Sequence, residues 1–188
     1  MSDKRTHIIE AAIDLFAKNG FWKTPTSRIT RHAKVSTGTL FNYFTSKDAL
    51  IDELYLQLKQ EQAAHIAAGY PAQGTVRERA EHIWYRAIDW GVRFPVRYRL
   101  LQQMKLSDLI SDEALQQSMS EWSFAASLIT EGIESGVYRD ISAAYFNKLV
   151  FAQLEAAVSH AIAHQLFDMP LSKHITRTFE IFWAGVTS

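Results

Sequence analysis

The chain has 188 residues, 47% of them apolar and 12% aromatic, with twenty Lys/Arg balanced by twenty Asp/Glu. That composition can fill the core of one large or two small domains and excludes a disordered chain. Cysteine is absent, which rules out disulfides and thiolate metal sites, and no apolar run reaches the roughly 18 residues of a membrane span; with nothing resembling a signal peptide, a soluble cytoplasmic protein without membrane contact is expected.

Helix starts and stops recur along the chain and no run keeps the alternating period of a strand, so the fold is expected to be all-α, with about nine helices. A first helix carrying Ile8, Ile9, Ala11, Ala12, Leu15 and Phe16 stops at Gly20. Thr24 is a suitable N-cap and Pro25 suits the first helical position, where its fixed φ helps and its missing N–H is no loss. A second helix is expected from there, with Ile29 and Ala33 on one face. The turn Ala33-Lys34-Val35-Ser36 leads into a third helix from Thr37 to Phe44, capped by Ser36. Leu40 and Phe44, four apart, turn inward with Val35 as the staple, while Thr37, Thr39, Asn42 and Tyr43 stay on or near the outer face.

Two short helices around a tight turn have the form of a helix-turn-helix, whose second helix enters the major groove. Thr can bond either base type there, its methyl can meet that of thymine, and Asn can read adenine, so Thr37, Gly38, Thr39 and Asn42 are the candidate base readers. Gly38 would let the backbone come close to the duplex. Arg28 is either a further reader or a phosphate-bound or solvated arginine. Thr24, Thr26, Tyr43 and Lys47 are the candidate phosphate contacts, from hydroxyls, an ammonium and helix starts. Residues 1–50 hold eight Lys/Arg against four acids, a net +4 that leaves −4 on the remainder, and a basic head on an acidic body suits phosphate binding at one end.

Beyond the head, a long helix from about Lys47 to Ala68 repeats Leu50, Leu54 and Leu58 and breaks at Gly69-Tyr70-Pro71; it is the natural lever between two domains, 1–46 and 47–188. Thr75-Val76-Arg77-Glu78 has the form of a capping box opening a helix to about Arg93, and Pro95 starts another ending near Lys105. One helix is expected from Ser111 to Gly136, another from Ser142 through about Phe167, and a last one from the Pro170-Leu171-Ser172 reset to about Gly185. The penultimate helix is rich in alanine and the last carries Ile175, Phe179, Phe182 and Trp183. These two are expected to build a homodimer, the rival being an ordinary core within the chain.

Trp84, Tyr85 and Trp90 crowd the helix from Thr75 to Arg93, and Tyr55, Met104, Trp122 and Phe151 could line a cavity with them. Asp89 beside Trp90, and Glu155 four residues after Phe151, would suit a lipophilic cation against aromatic faces. Aromatic and Met side chains are also ordinary core filling, and Glu155 could instead pair with Arg86 or face a partner subunit. His160, His164 and His174 could meet, but no HExxH pattern or thiolate accompanies them, so no metal and no cofactor is expected; no phosphate loop, nucleophile elbow or paired-carboxylate motif suggests an enzyme.

Over about the first fifty residues the sequence resembles the TetR family of transcriptional regulators. The likeness rests on Ile8-Ile9-Glu10-Ala11-Ala12, Leu15-Phe16, Gly20-Phe21, Ile29, Ala33, Val35-Ser36, Gly38-Thr39-Leu40-Phe41, Tyr43-Phe44 and Lys47-Leu50 at family spacing. Thr30, Lys34 and Asn42 depart from the pattern, where alanine, glycine and histidine are usual. Lys34 stands out, since a turn residue at positive φ costs a non-glycine side chain roughly 1 kcal/mol. More loosely, the runs around Leu54-Tyr55-Leu56 and Trp90-Gly91 are similar to the RamR-type, multidrug-responsive branch. The resemblance implies a helix-turn-helix head, a C-terminal effector and dimerisation domain, and a four-helix bundle between two copies. The function expected is a homodimeric repressor that binds a pseudo-palindromic operator and leaves it when a small lipophilic effector binds. The alternative is a DNA-binding regulator with a closed C-terminal interaction domain.

Overall fold

The computed structural model describes residues 4–187, which form ten α-helices and one short 3-10 turn. The only β-type pairing among the described residues is an isolated bridge between Tyr138 and Thr187. The chain divides into two compact units, one of residues 1–60 and 96–119, the other of residues 61–95 and 120–188.

The first unit opens with α1 (Lys4–Asn19), α2 (Thr26–His32) and α3 (Thr37–Tyr43), followed by α4 (Lys47–Ala67) as far as Gln60. Ile8, Ile9 and Phe16 of α1, Ile29 of α2, Leu40 of α3, and Leu50 and Leu54 of α4 are all fully buried. Their spacing follows the helical period, so each helix turns one stripe to a shared core. Gly20 ends α1 in the left-handed region at φ +77°, its N–H donating to the Phe16 carbonyl at 2.8 Å. The unit also takes in α6 (Pro95–Lys105) from Val96 onward and α7 (Asp112–Met119). Arg97 pairs with Glu10 at 2.7 Å, and the Ser111 N–H donates to Asp52 at 2.9 Å.

The second unit contains the end of α4, α5 (Val76–Arg93), α8 (Ser123–Glu134), α9 (Ala143–Ala163) and α10 (Asp168–Val186). Thr75 and Glu78 form the full reciprocal capping box at the start of α5, and Ser142 caps α9. Gly132 on α8 meets the Tyr138 ring so closely that a Cβ there would lie 2.3 Å from it, which fixes glycine at that position. Phe179 and Phe182 of α10, Phe146 of α9 and Trp84 of α5 are buried together, with Trp84 stacked on Phe182 at 4.7 Å.

Four boundaries differ from the sequence reading. The second helix begins one residue later, with Pro25 in the cap position, and Thr24 is not its cap. The single helix expected from Ser111 to Gly136 is two, α7 and α8, separated by the 3-10 turn Ser120–Trp122; this makes ten helices where about nine are expected. The penultimate helix stops at Ala163, because Gln165 takes φ 51° and breaks the helical course. The last helix begins before Pro170, which falls within its first turn, where a missing N–H is no loss.

Candidate nucleic-acid interface

The helix-turn-helix is built by short-range chemistry. Ser36 sits in an extended conformation and its hydroxyl accepts from the Thr39 N–H at 3.0 Å, which starts α3. The tight turn before it is closed by the Val35 N–H donating to the Thr30 carbonyl at 3.0 Å. Lys34 adopts φ 55°, so the positive-φ strain anticipated at this turn is present. Leu40 faces the core, leaving Thr37, Gly38 and Asn42 exposed and Thr39 half-buried with its hydroxyl bonded to Ser36. Around Gly38 the nearest non-neighbouring atom to an added Cβ is the Ser36 hydroxyl at 3.9 Å, so the backbone there is open to a close approach.

Of the candidate phosphate contacts, Tyr43 is exposed, Thr26 half-buried, and Arg28 stands exposed on α2. Lys47 is half-buried: its ammonium donates to the Phe21 carbonyl and lies 5.7 Å from the centre of the Phe16 ring. Burial moves the Lys47 pKa below its usual value, with Asp48 opposing. Thr24 is a correction. Its side chain is fully buried and its hydroxyl donates to the Gly20 carbonyl at 2.8 Å, so it shapes the turn after α1 and has no surface for phosphate. The sequence reading passed over Phe41, an aromatic 44% exposed on α3 one turn after Thr37. Its i+4 spacing from Thr37 was the available signal.

The proposed ligand residues fall in both compact units. Tyr55 and Met104 line a cleft of about 480 Å³ in the first unit, together with Ile110, Ser111 and Leu115 and, among its charged groups, Lys105, Asp108 and Asp112. The other seven belong to the second unit. Trp84 and Trp90 are buried core residues, and the Trp84 indole donates to the Thr178 hydroxyl at 3.1 Å. Tyr85, Phe151 and Glu155 are exposed, and Trp122 stacks near Phe124. Asp89 is buried but already met: Arg93 Nε lies 2.7 Å from one oxygen and His65 Nε2 3.0 Å from the other. Arg86 donates twice to the His65 carbonyl, at 2.9 and 2.7 Å, instead of to Glu155. Burial, and then Arg86, push the His65 pKa below normal, against the pull of Asp89. Asp89 therefore has its charge partners within the fold and offers no free carboxylate to a cation.

The His160 ring lies 4.3 Å from that of His164 and 5.1 Å from that of His174, but His174 Nε2 is bonded to the Ala157 carbonyl. Among the described residues no three His, Cys, Asp or Glu side chains are placed to hold a metal ion, and no helix is long and apolar enough to cross a membrane. The apolar stripe of the last helix packs within the chain, the alternative that the sequence left open. Ile175, Phe179 and Phe182 are buried in the second unit's core, and the large apolar side chains exposed on α9 and α10 include Tyr145, Phe151, Met169 and Ile181.

Comparison with known proteins places this geometry. The family model for bacterial regulatory proteins of the tetR family matches residues 8–54, the stretch that folds into α1 to α3 and the start of α4. A solved protein from Shewanella sp. PV-4, described as a tetR-family transcription regulator, superposes with a TM-score of 0.90 at 29% identity, over 99% of both chains. The fatty acid metabolism regulator protein of Bacillus subtilis (strain 168) is 22% identical over 178 residues, 88% of each chain. The crystal structure of the transcriptional regulator FadR from Bacillus subtilis with stearoyl-CoA is 17% identical with a TM-score of 0.76, covering 96% of this chain and 98% of that one, and it speaks to the fold alone. The chain is thus similar to bacterial regulatory proteins of the tetR family over residues 8–54, and to a solved protein described as a regulator of that family over its length.

Proposed function

We propose that the protein is a homodimeric cytoplasmic repressor that holds a pseudo-palindromic operator and releases it when a small lipophilic effector binds. The observation that carries the DNA side is the outward face of α3: Thr37, Gly38 and Asn42 are exposed on a helix whose other side is pinned by the fully buried Leu40. Short donors and acceptors on a helix that fits the major groove read base edges, with Thr26, Tyr43 and Lys47 setting the register on phosphates. Two such heads on a two-fold axis span half-sites about 34–36 Å apart, or a multiple of that. The exposed Tyr145, Met169 and Ile181 favour a second copy on α9 and α10. The functional boundary stays at residue 46/47, with α4 as the lever, since its residues fall in both compact units.

The effector site we favour is the cleft beside Tyr55 and Met104, in the same compact unit as the reading helix. An effector that binds one dimer conformer better shifts the population to it and lowers operator affinity by that difference. Apolar walls from Met104, Ile110 and Leu115, with serines and charges beside them, suit an amphipathic molecule better than a cation between aromatic faces, because Asp89 is occupied and Glu155 is in solvent. The RamR-type, multidrug reading loses its carboxylate for that reason. The full-length likeness to regulators of fatty acid metabolism makes a fatty acyl compound the first probe. Titrating stearoyl-CoA and stearate into the protein on duplex DNA tests this. Release by either, abolished by Leu115→Trp in the cleft wall with DNA affinity kept, supports the site. Release that survives Leu115→Trp overturns it, and no release by any lipophilic compound favours a closed interaction domain.

A further inference from the structure

The turn between α1 and α2 presents an indole to solvent from a rigid mount. Trp22 is 83% exposed, while its neighbours in the turn are fixed: Phe21 is buried with its ring 4.8 Å from that of Phe16, and Thr24 is fully buried. The Phe21 carbonyl accepts from the Thr24 N–H at 3.4 Å and from the Lys47 ammonium. The turn is therefore tied both to α1 and to the first residue of α4, and its two tip residues, Trp22 and Lys23, are exposed. The core has no need of this ring. The large apolar side chains left exposed among the described residues of the first three helices and their turns are Trp22, Phe41 and Tyr43, and the last two lie on the reading helix.

We infer that Trp22 is a DNA contact, packing its ring on the deoxyribose of the duplex backbone and donating its indole N–H to a phosphate oxygen. The inference rests on the DNA-binding reading above. The chemistry suits a phosphodiester backbone: an indole is a donor with a flat apolar face, and Gly20 to Thr26 carries Lys23 and no acid, Asp14 on α1 being the nearest in sequence and Asp48 the neighbour of Lys47. Because the turn is held by Phe21, Thr24 and Lys47, its backbone is fixed before DNA arrives, which limits the entropy lost on binding to that of the indole itself. The contact adds affinity for any sequence and reads none.

The test measures binding of wild type, Trp22→Ala and Trp22→Phe to a random-sequence duplex and to a duplex selected by the wild type, at several salt concentrations. An exposed side chain can be removed without unfolding the head, and a thermal melt checks this. Trp22→Ala should weaken binding to both duplexes alike by roughly tenfold, the size of a hydrogen bond to a charged group, and Trp22→Phe by less. The slope of affinity against salt should not change, since no cation is removed. Unchanged affinity in Trp22→Ala overturns the proposal while leaving the DNA-binding reading intact, as does a loss confined to dimer formation. A wild type that binds neither duplex at low salt overturns the reading itself and the proposal with it.

Discussion

The ammonium of Lys47, at the head of α4, is bound to the backbone carbonyl of Phe21 in the turn after α1. One lysine thus ties the start of α4 to the turn after α1, its ammonium lying over the Phe16 ring. Lys47→Ala should weaken binding to selected and random duplexes alike and lower the salt slope by about one ion. Affinity titrations across salt check it, and unchanged random-duplex binding would remove Lys47 from the phosphate contacts.

Gly38 separates folding from reading. An added Cβ meets nothing closer than 3.9 Å, so Gly38→Ala should stabilise the head by about 0.5–1 kcal/mol through the unfolded chain and helix propensity. The same methyl would stand between α3 and the base edges, and binding to a selected duplex should fall by about tenfold or more. Denaturant melts and anisotropy titrations should move in opposite directions.

Lys34 holds φ 55° in the helix-turn-helix turn. Lys34→Gly should relieve the strain and raise stability by about 1 kcal/mol. If the charge is kept for DNA, the more stable variant binds random duplex more weakly and with a smaller salt slope; stability gained with no loss of binding would show that the lysine serves no DNA role.

What the sequence makes legible is local. Ser36, Ser111, Ser142 and the Thr75–Glu78 box each cap a helix through contacts within three residues, so their signals survive in sequence alone, as does the strain at Lys34. Thr24 looked like a cap by the same local rule, yet a carbonyl of the preceding turn, at Gly20, takes its hydroxyl. The break between α7 and α8 carries no Gly or Pro to announce it. The aromatic residues misled for a different reason: Trp84, Trp90 and Phe151 share a composition suited to a pocket, but long-range packing sends two into the core and one to solvent. Asp89 acquired its partners from α4 and from its own helix, and only the fold brings His65 to it.

Lys59 gives the first unit a pH dependence. Burial, reinforced by Lys105, lowers its pKa from 10.5 to about 7. Between those values the unfolded chain holds a proton that the folded one has released, so stability rises as pH goes up from 7 and levels off near 10.5. Lys59→Met should flatten that rise and increase the melting temperature at pH 7 by about 2–4 °C. Thermal melts of both proteins across the window decide it, and parallel pH curves would show that Lys59 is not the group responsible.

In the proposed binding mode, two α3 helices on one dimer read a symmetric DNA site. Selecting bound sequences from a randomised duplex pool, and measuring the mass of the complex on the enriched duplex, tests it most directly. The expected result is a pseudo-palindromic consensus occupied by an even number of chains, two per site. A pool with no enriched sequence, or an asymmetric site held by a single chain, would contradict it.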